Sequence, residues 1–133
     1  MRAAAILGPG KVAKYLAQFQ NAAKVEWTSD LSPGIEAAVV FGGDGTIHRH
    51  LTSLSDLKVP TLIVPCGSGN DFARALNLKS VSDSLAAWRK FVGGNNNVHQ
   101  VDLGVIRTQA CEHLLSAAEA APAKEAEIGR AHV

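Results

Sequence analysis

The chain has little cysteine, no dominant charge sign and no long apolar run, and each shortage excludes a class of protein. Two cysteines, Cys66 and Cys111, among 133 residues make neither a disulfide framework nor a four-ligand zinc site, which fits a reducing compartment. Thirteen Lys plus Arg against twelve Asp plus Glu leave a formal charge of +1. No global field therefore draws the chain to nucleic acid or to an anionic membrane. The opening Met1-Arg2-Ala3-Ala4-Ala5-Ile6-Leu7 runs into Gly8-Pro9-Gly10. That run is shorter than a signal-peptide core or a membrane span and reads as a first strand. The expectation is a soluble, cytoplasmic protein. With 47% hydrophobic residues the chain can build one domain with a real core.

What the chain does have is Val39-Val40-Phe41-Gly42-Gly43-Asp44-Gly45-Thr46, an apolar run that stops in glycines, a carboxylate and a hydroxyl. Glycines after a strand let backbone N–H groups approach a bulky anion without Cβ interference, and such a nest suits phosphate. Asp44 can then serve the accompanying metal or take a proton from an attacking hydroxyl. Gly-Gly-Asp-Gly would also make a hairpin turn. The following apolar residues, Ile47, Leu51 and Leu54, are spaced four and three apart, which is a helix face and not a returning strand. The unit reads as strand, glycine loop, helix, a topology that puts phosphate at a helix N-terminus.

The rest of the chain repeats that alternation. Residues 3–7 read as a strand, Val12, Leu16 and Phe19 as a helix face, residues 24–28 as a second strand, and residues 37–41 as a third, apolar on both faces as a buried parallel strand should be. A solvated lysine is the commoner role for Lys11 than phosphate contact. Residues 61–64 form a fourth strand that enters Pro65-Cys66-Gly67-Ser68-Gly69-Asn70-Asp71, a second loop with the logic of the first. Asp71 is placed to cap a helix over residues 72–76. Ser80-Val81-Ser82-Asp83 has capping-box form and opens a helix carrying Val81, Leu85, Trp88 and Val92, closed by Gly93-Gly94. Residues 98–106 alternate as a fifth strand. Five strands with intervening helices predict a doubly wound parallel sheet, in which ligands bind outside the carboxyl ends of the strands. Both glycine loops fall at such ends and should face one pocket. His48 and His50, two apart on a helix, point in different directions and make no metal pair.

The two motifs, Phe41-Gly42-Gly43-Asp44-Gly45-Thr46 and Pro65-Cys66-Gly67-Ser68-Gly69-Asn70-Asp71-Phe72-Ala73-Arg74-Ala75-Leu76, resemble the diacylglycerol kinase catalytic domain, a family shared by bacterial lipid kinases and related to sphingosine and ceramide kinases. The first motif also resembles loops of NAD kinases and phosphofructokinases; the second resembles the lipid kinase branch. The likeness runs from the first strand to Asp102-Leu103-Gly104. It implies a three-layer Rossmann-like α/β domain over residues 1–106, with a mainly parallel sheet, and a second, β-rich domain that is missing here. It also implies transfer of the γ-phosphoryl of ATP, with Mg²⁺, to a lipid hydroxyl such as that of diacylglycerol or a sphingoid base. Transient contact with the inner membrane face is implied for the full-length protein.

On these positions the resemblance assigns nucleotide binding to Gly42, Gly43, Gly45 and Thr46 and to Gly67, Ser68, Gly69 and Asn70 of the second loop. Asp71 falls on the acceptor side of the cleft. Asp44 matches the acidic residue treated in relatives as metal-linked or as general base. Phosphoryl transfer depends on in-line positioning and charge neutralisation, so either role suits one carboxylate. A kinase for a soluble acceptor such as NAD and a non-catalytic nucleotide-binding module stay open as alternatives.

The chain departs from the family pattern in three places. Leu7-Gly8-Pro9-Gly10-Lys11 is shorter than the family's first loop, and His48-Arg49 stands where the family has Asn-Glu, exchanging a carboxylate for a cation. Residues 107–133 lie outside the likeness. They are rich in alanine and glutamate, and their last seven resemble the translation of a sequencing adapter, so the tail is read as helical or disordered and as a truncation or sequencing artefact. The chain is accordingly expected to be the nucleotide-binding half, inactive alone, with its apolar residues committed to the core and none left to form a lipid groove.

Overall fold

The computed structural model describes residues 1–106 and 126–132, of which 102–106 and 126–132 are described as backbone. Strand β1 (Arg2–Leu7) leads through α1 (Ala13–Ala22), β2 (Glu26–Thr28), β3 (Ala37–Gly42), α2 (Asp44–Leu57) and β4 (Thr61–Pro65) to α3 (Asp71–Ala75) and α4 (Val81–Val92). β1 to β4 form one sheet in the order β2-β1-β3-β4, and every pairing within it is parallel.

Alternation along the strands sorts their side chains onto two helix layers. Ala3, Ala5, Ala37, Val39, Phe41 and Val64 pack with Phe19 of α1 and Trp88 of α4. Ala4, Ile6, Ala38, Val40 and Ile63 pack with Ile47 and Leu54 of α2 and Ala73 of α3. The result is the expected three-layer α/β fold with a parallel sheet. Every residue of β3 is buried, because the strand is central and covered on both faces. The first layer is closed by aromatics: Phe19 meets Phe41 edge to face with centroids 5.1 Å apart, and Trp88 lies 5.4 Å from Trp27 and 5.8 Å from Phe91.

The Ser80 side chain accepts the Asp83 N–H at 3.2 Å, as the capping signature predicts. The Asp83 carboxylate reaches back one residue further than a capping box requires and accepts the Lys79 N–H at 2.9 Å. Fully buried Ser84 donates its hydroxyl to the Ile63 carbonyl at 2.6 Å, tying α4 to β4.

Two expectations need correction. The fifth strand, β5 (Gln100–Ile106), does not extend the parallel sheet; it pairs antiparallel with β6 (Ala126–His132). The β4 edge is covered instead by α4, whose Ser84 occupies the Ile63 carbonyl. The last part of the tail is likewise strand, not helix or disorder: β6 satisfies its backbone on β5. The helix expected over residues 110–126 lies outside the described residues except for Ala126, which begins β6.

Candidate functional site

Because β3 and β4 run parallel with Gly42 opposite Pro65, the loops that follow them emerge at the same sheet end. They touch. The Asp44 N–H donates to the Gly69 carbonyl at 2.7 Å, and the Cys66 N–H to the Gly42 carbonyl at 3.3 Å. A Cβ added at Gly67 would lie 2.5 Å from the Gly43 nitrogen, and one at Gly43 would lie 2.5 Å from the Gly69 carbonyl oxygen. Gly42 is closed off from below: a Cβ there would meet Thr46 Oγ1 at 2.6 Å. Gly43 and Gly67 let one loop lie on the other, whereas Gly42 leaves room for the Thr46 side chain. Gly45 differs, with nothing within 4 Å of an added Cβ. Absence of a side chain at Gly45 serves the open surface above the loop and not internal packing.

Asp44 completes the join. Its Oδ2 accepts the Asp71 N–H at 2.9 Å and its Oδ1 the Phe72 N–H at 3.0 Å. A helix start leaves such donors without intrahelical partners, and here the partner arrives from the other loop. Asp71 was expected to cap α3. It is instead the first residue inside that helix; the capping position is Asn70, whose side chain makes no cap bond. The Asp71 carboxylate turns outward to Arg74 at 3.2 Å, with side-chain exposures of 86% and 66% for Asp71 and Arg74, a pairing worth little in water. Of the two carboxylates, Asp71 is therefore the freer.

The Asn70 amide also has an internal task that its sequence position did not disclose. Its Nδ2 donates to the Gly67 carbonyl at 2.9 Å and its Oδ1 accepts the Gly67 N–H at 3.3 Å, so it clasps the second loop. Ser68 and Gly69 are exposed at the tip, whereas Thr46 is buried beneath the first loop. His50 Nδ1 lies 3.1 Å from the Thr46 carbonyl, and His48 and Arg49 are exposed on α2. Cys66 is half-buried, and that burial pushes its thiol above the ordinary range. Among the described residues no group of three or more His, Cys, Asp or Glu side chains is placed to hold a metal.

Sequence reasoning also missed a groove beside the loops. A cavity of about 490 Å³ is lined by Asp44, Ile47, His48 and Leu51 of α2 and by Asp71 and Phe72 of α3. The apolar residues were expected to be fully committed to the core, but Leu51 and Phe72 remain partly exposed. The signal was present in the spacing: residues 44, 47, 48 and 51 share one helix face.

The site thus joins two glycine loops through an aspartate at one end of the sheet of a three-layer α/β domain. The chain belongs to the diacylglycerol kinase catalytic domain family, whose model matches residues 8–106. It is 37% identical over 57 residues to a diacylglycerol kinase of Mycobacterium tuberculosis, covering 43% of this chain and 18% of that one. Over 71 residues it is 35% identical to a Staphylococcus haemolyticus protein whose name assigns it provisionally to the lipid kinases, covering 52% of this chain and 21% of that one. The aligned stretch thus spans about a fifth of the length of these relatives. In fold it is similar to an NAD kinase from Archaeoglobus fulgidus solved in complex with ATP, with a TM-score of 0.56 and 24% identity over 79% of this chain and 42% of that one. No helix among the described residues is long and apolar enough to cross a membrane.

Proposed function

We propose that this chain is the nucleotide-binding half of an ATP-dependent lipid kinase, with residues 1–106 as the ATP-holding domain and the acceptor enclosed by a further domain. The observation that carries this reading is the fusion of two phosphate-type loops into one surface through Asp44, in a member of a kinase family. The ATP phosphates would lie over Gly43, Gly45, Ser68 and Gly69, where the space above Gly45 is open and backbone N–H groups are near. Gly42 and Thr46 support that surface from below, and Gly67 and Asn70 set the shape of the second loop.

Mg²⁺ fits this site: it commonly takes one or two carboxylates together with substrate phosphates and water. Asp71 has an outward carboxylate, and each Asp44 oxygen keeps a second lone pair beyond its bond to α3. When bound, the ion would neutralise charge on the transferring phosphoryl group. Asp44 has two tasks in this reading. It holds α3 and the second loop in register, and it presents negative charge to the acceptor hydroxyl or to the metal. Asp71 stands on the acceptor side of the same cleft. Phosphoryl transfer needs donor and acceptor in line with water kept out, and an open sheet end does not by itself exclude water from the reacting atoms.

The chain by itself is therefore expected to bind Mg·ATP weakly and to phosphorylate no lipid. The test has two parts: amide shifts of Gly43, Gly45, Ser68 and Gly69 on titration with Mg·ATP, and transfer from labelled ATP to diacylglycerol, a sphingoid base or NAD after a relative's second domain is joined behind Ile106. Transfer to lipid supports the reading. Transfer to NAD alone would replace it with a soluble-acceptor kinase, and nucleotide binding with no transfer would leave a binding module.

A further inference from the structure

We infer that the groove between α2 and α3 seats the apolar chain of the acceptor, next to the carbon that bears its hydroxyl. The inference rests on the lipid kinase reading above and adds where on this chain the lipid lies.

The groove has the two ends such a molecule needs. Asp44 and Asp71 stand at one end, beside the glycine loops, and Ile47, Leu51 and Phe72 provide apolar walls. On α2 the positions 44, 47, 48 and 51 form one stripe, so the wall leads away from the carboxylate for two turns, about 10 Å at 1.5 Å per residue. An acceptor hydroxyl placed at the carboxylates therefore projects its chain along the stripe. The volume of about 490 Å³ lies in the ordinary range for small-molecule sites, which combine apolar walls with a few polar groups.

The walls are held from behind. Ile47 is 6% exposed and packs with Ala73 of α3 and Ile63 of β4 in one core cluster, with Leu51 and Phe72 packed against it. Asp44 fixes the start of α3 through the Asp71 and Phe72 amides, which sets the position of the Phe72 wall relative to α2. The same residue thus locates the phosphate loops and one side of the groove. His48, exposed on α2, also lines the groove. Another cavity, of about 210 Å³, lies between α4 and the N-terminal ends of β3 and β4 and includes Leu76, Trp88 and Val98. It is at the wrong end of the sheet to put a hydroxyl near the phosphates.

The test uses the 133-residue chain, isotopically labelled, with 1,2-dioctanoylglycerol as a monomeric probe and Mg·ATP as a separate one. The lipid should shift the Ile47 and Leu51 methyl and Phe72 ring signals in a saturable way. His48→Trp, which fills the mouth from an exposed position, should weaken that saturation at least tenfold. Absence of saturable shifts, or shifts confined to the Leu76, Trp88 and Val98 cavity, would overturn the inference and hand the groove to another segment of a longer protein. Saturable lipid shifts that His48→Trp leaves as strong as before would overturn it too. Failure of the parent reading looks different: Mg·ATP would then leave Gly43, Gly45 and Gly69 unmoved, whatever the lipid does.

Discussion

The carboxylate of Asp44 holds the backbone of Asp71, 27 residues away, at 2.9 Å, and that of Phe72 at 3.0 Å. Both oxygens of the best candidate for a reactive carboxylate therefore also act as the missing cap of another helix. Loss of charge at Asp44 would disturb chemistry and architecture together.

Asp44→Asn is accordingly expected to lower stability, because the amide offers one acceptor where two N–H groups need one each. Hydrogen bonds to a charged group contribute about 1.5–3 kcal/mol, so a urea or thermal melt should show a loss of about 1–3 kcal/mol. Turnover of a version completed by a second domain should fall by orders of magnitude. Asp71→Asn provides the contrast: with its side chain 86% exposed, it should change stability by less than about 0.5 kcal/mol. Equal melts for Asp44→Asn and the parent chain would show that the cap bonds carry no weight.

The glycines separate by the same logic. Gly67→Ala puts a methyl 2.5 Å from the Gly43 nitrogen and 2.6 Å from its Cα, where backbone must move. Overpacking of that kind costs about 1–3 kcal/mol or more. Gly45→Ala meets nothing within 4 Å and lies in a helix, where alanine is favoured by up to about 1 kcal/mol. Gly45→Ala should therefore be as stable as the parent or more so, while its Mg·ATP affinity drops at least fivefold. Calorimetric titration beside a melt reads both, and undiminished affinity would remove Gly45 from the phosphate surface.

Ser84→Ala deletes the buried hydroxyl that satisfies the Ile63 carbonyl on the β4 edge. A buried acceptor left without its donor costs about 1–3 kcal/mol, and chemical denaturation should show a loss of that size. Mg·ATP binding should be unchanged, since Ser84 lies on α4 in the opposite helix layer from the groove.

Burial holds the Cys66 thiol above its usual range, so it should stay protonated and alkylate slowly at pH 7. The rate should keep rising with pH beyond the point at which a free thiol has levelled off. Mass mapping of the peptide that contains Cys66 after timed iodoacetamide treatment would check this, and rapid labelling at pH 7 would contradict the burial.

The local order of elements was determined by the sequence because each signal is short-range. Spacing of Ile47, Leu51 and Leu54 specified α2, the doubly apolar run ending at Phe41 specified a central strand, and the Ser80 to Asp83 signature specified the start of α4. The two glycine loops could likewise be placed at strand ends, and so at one edge of a parallel sheet, from pattern alone. Tertiary structure decided what those loops do to each other. Whether Asp71 capped its own helix or Asp44 capped it from across the site depended on a contact spanning 27 residues, and no local propensity distinguishes the two. Partner choice for β5 was undetermined for the same reason. Alternation marks a strand but not its neighbour, and the edge of β4 was taken by a serine hydroxyl whose reach only the packed α4 reveals. The groove beside Asp44 had its stripe written in the sequence; that Leu51 and Phe72 stay partly uncovered follows from where α3 is held.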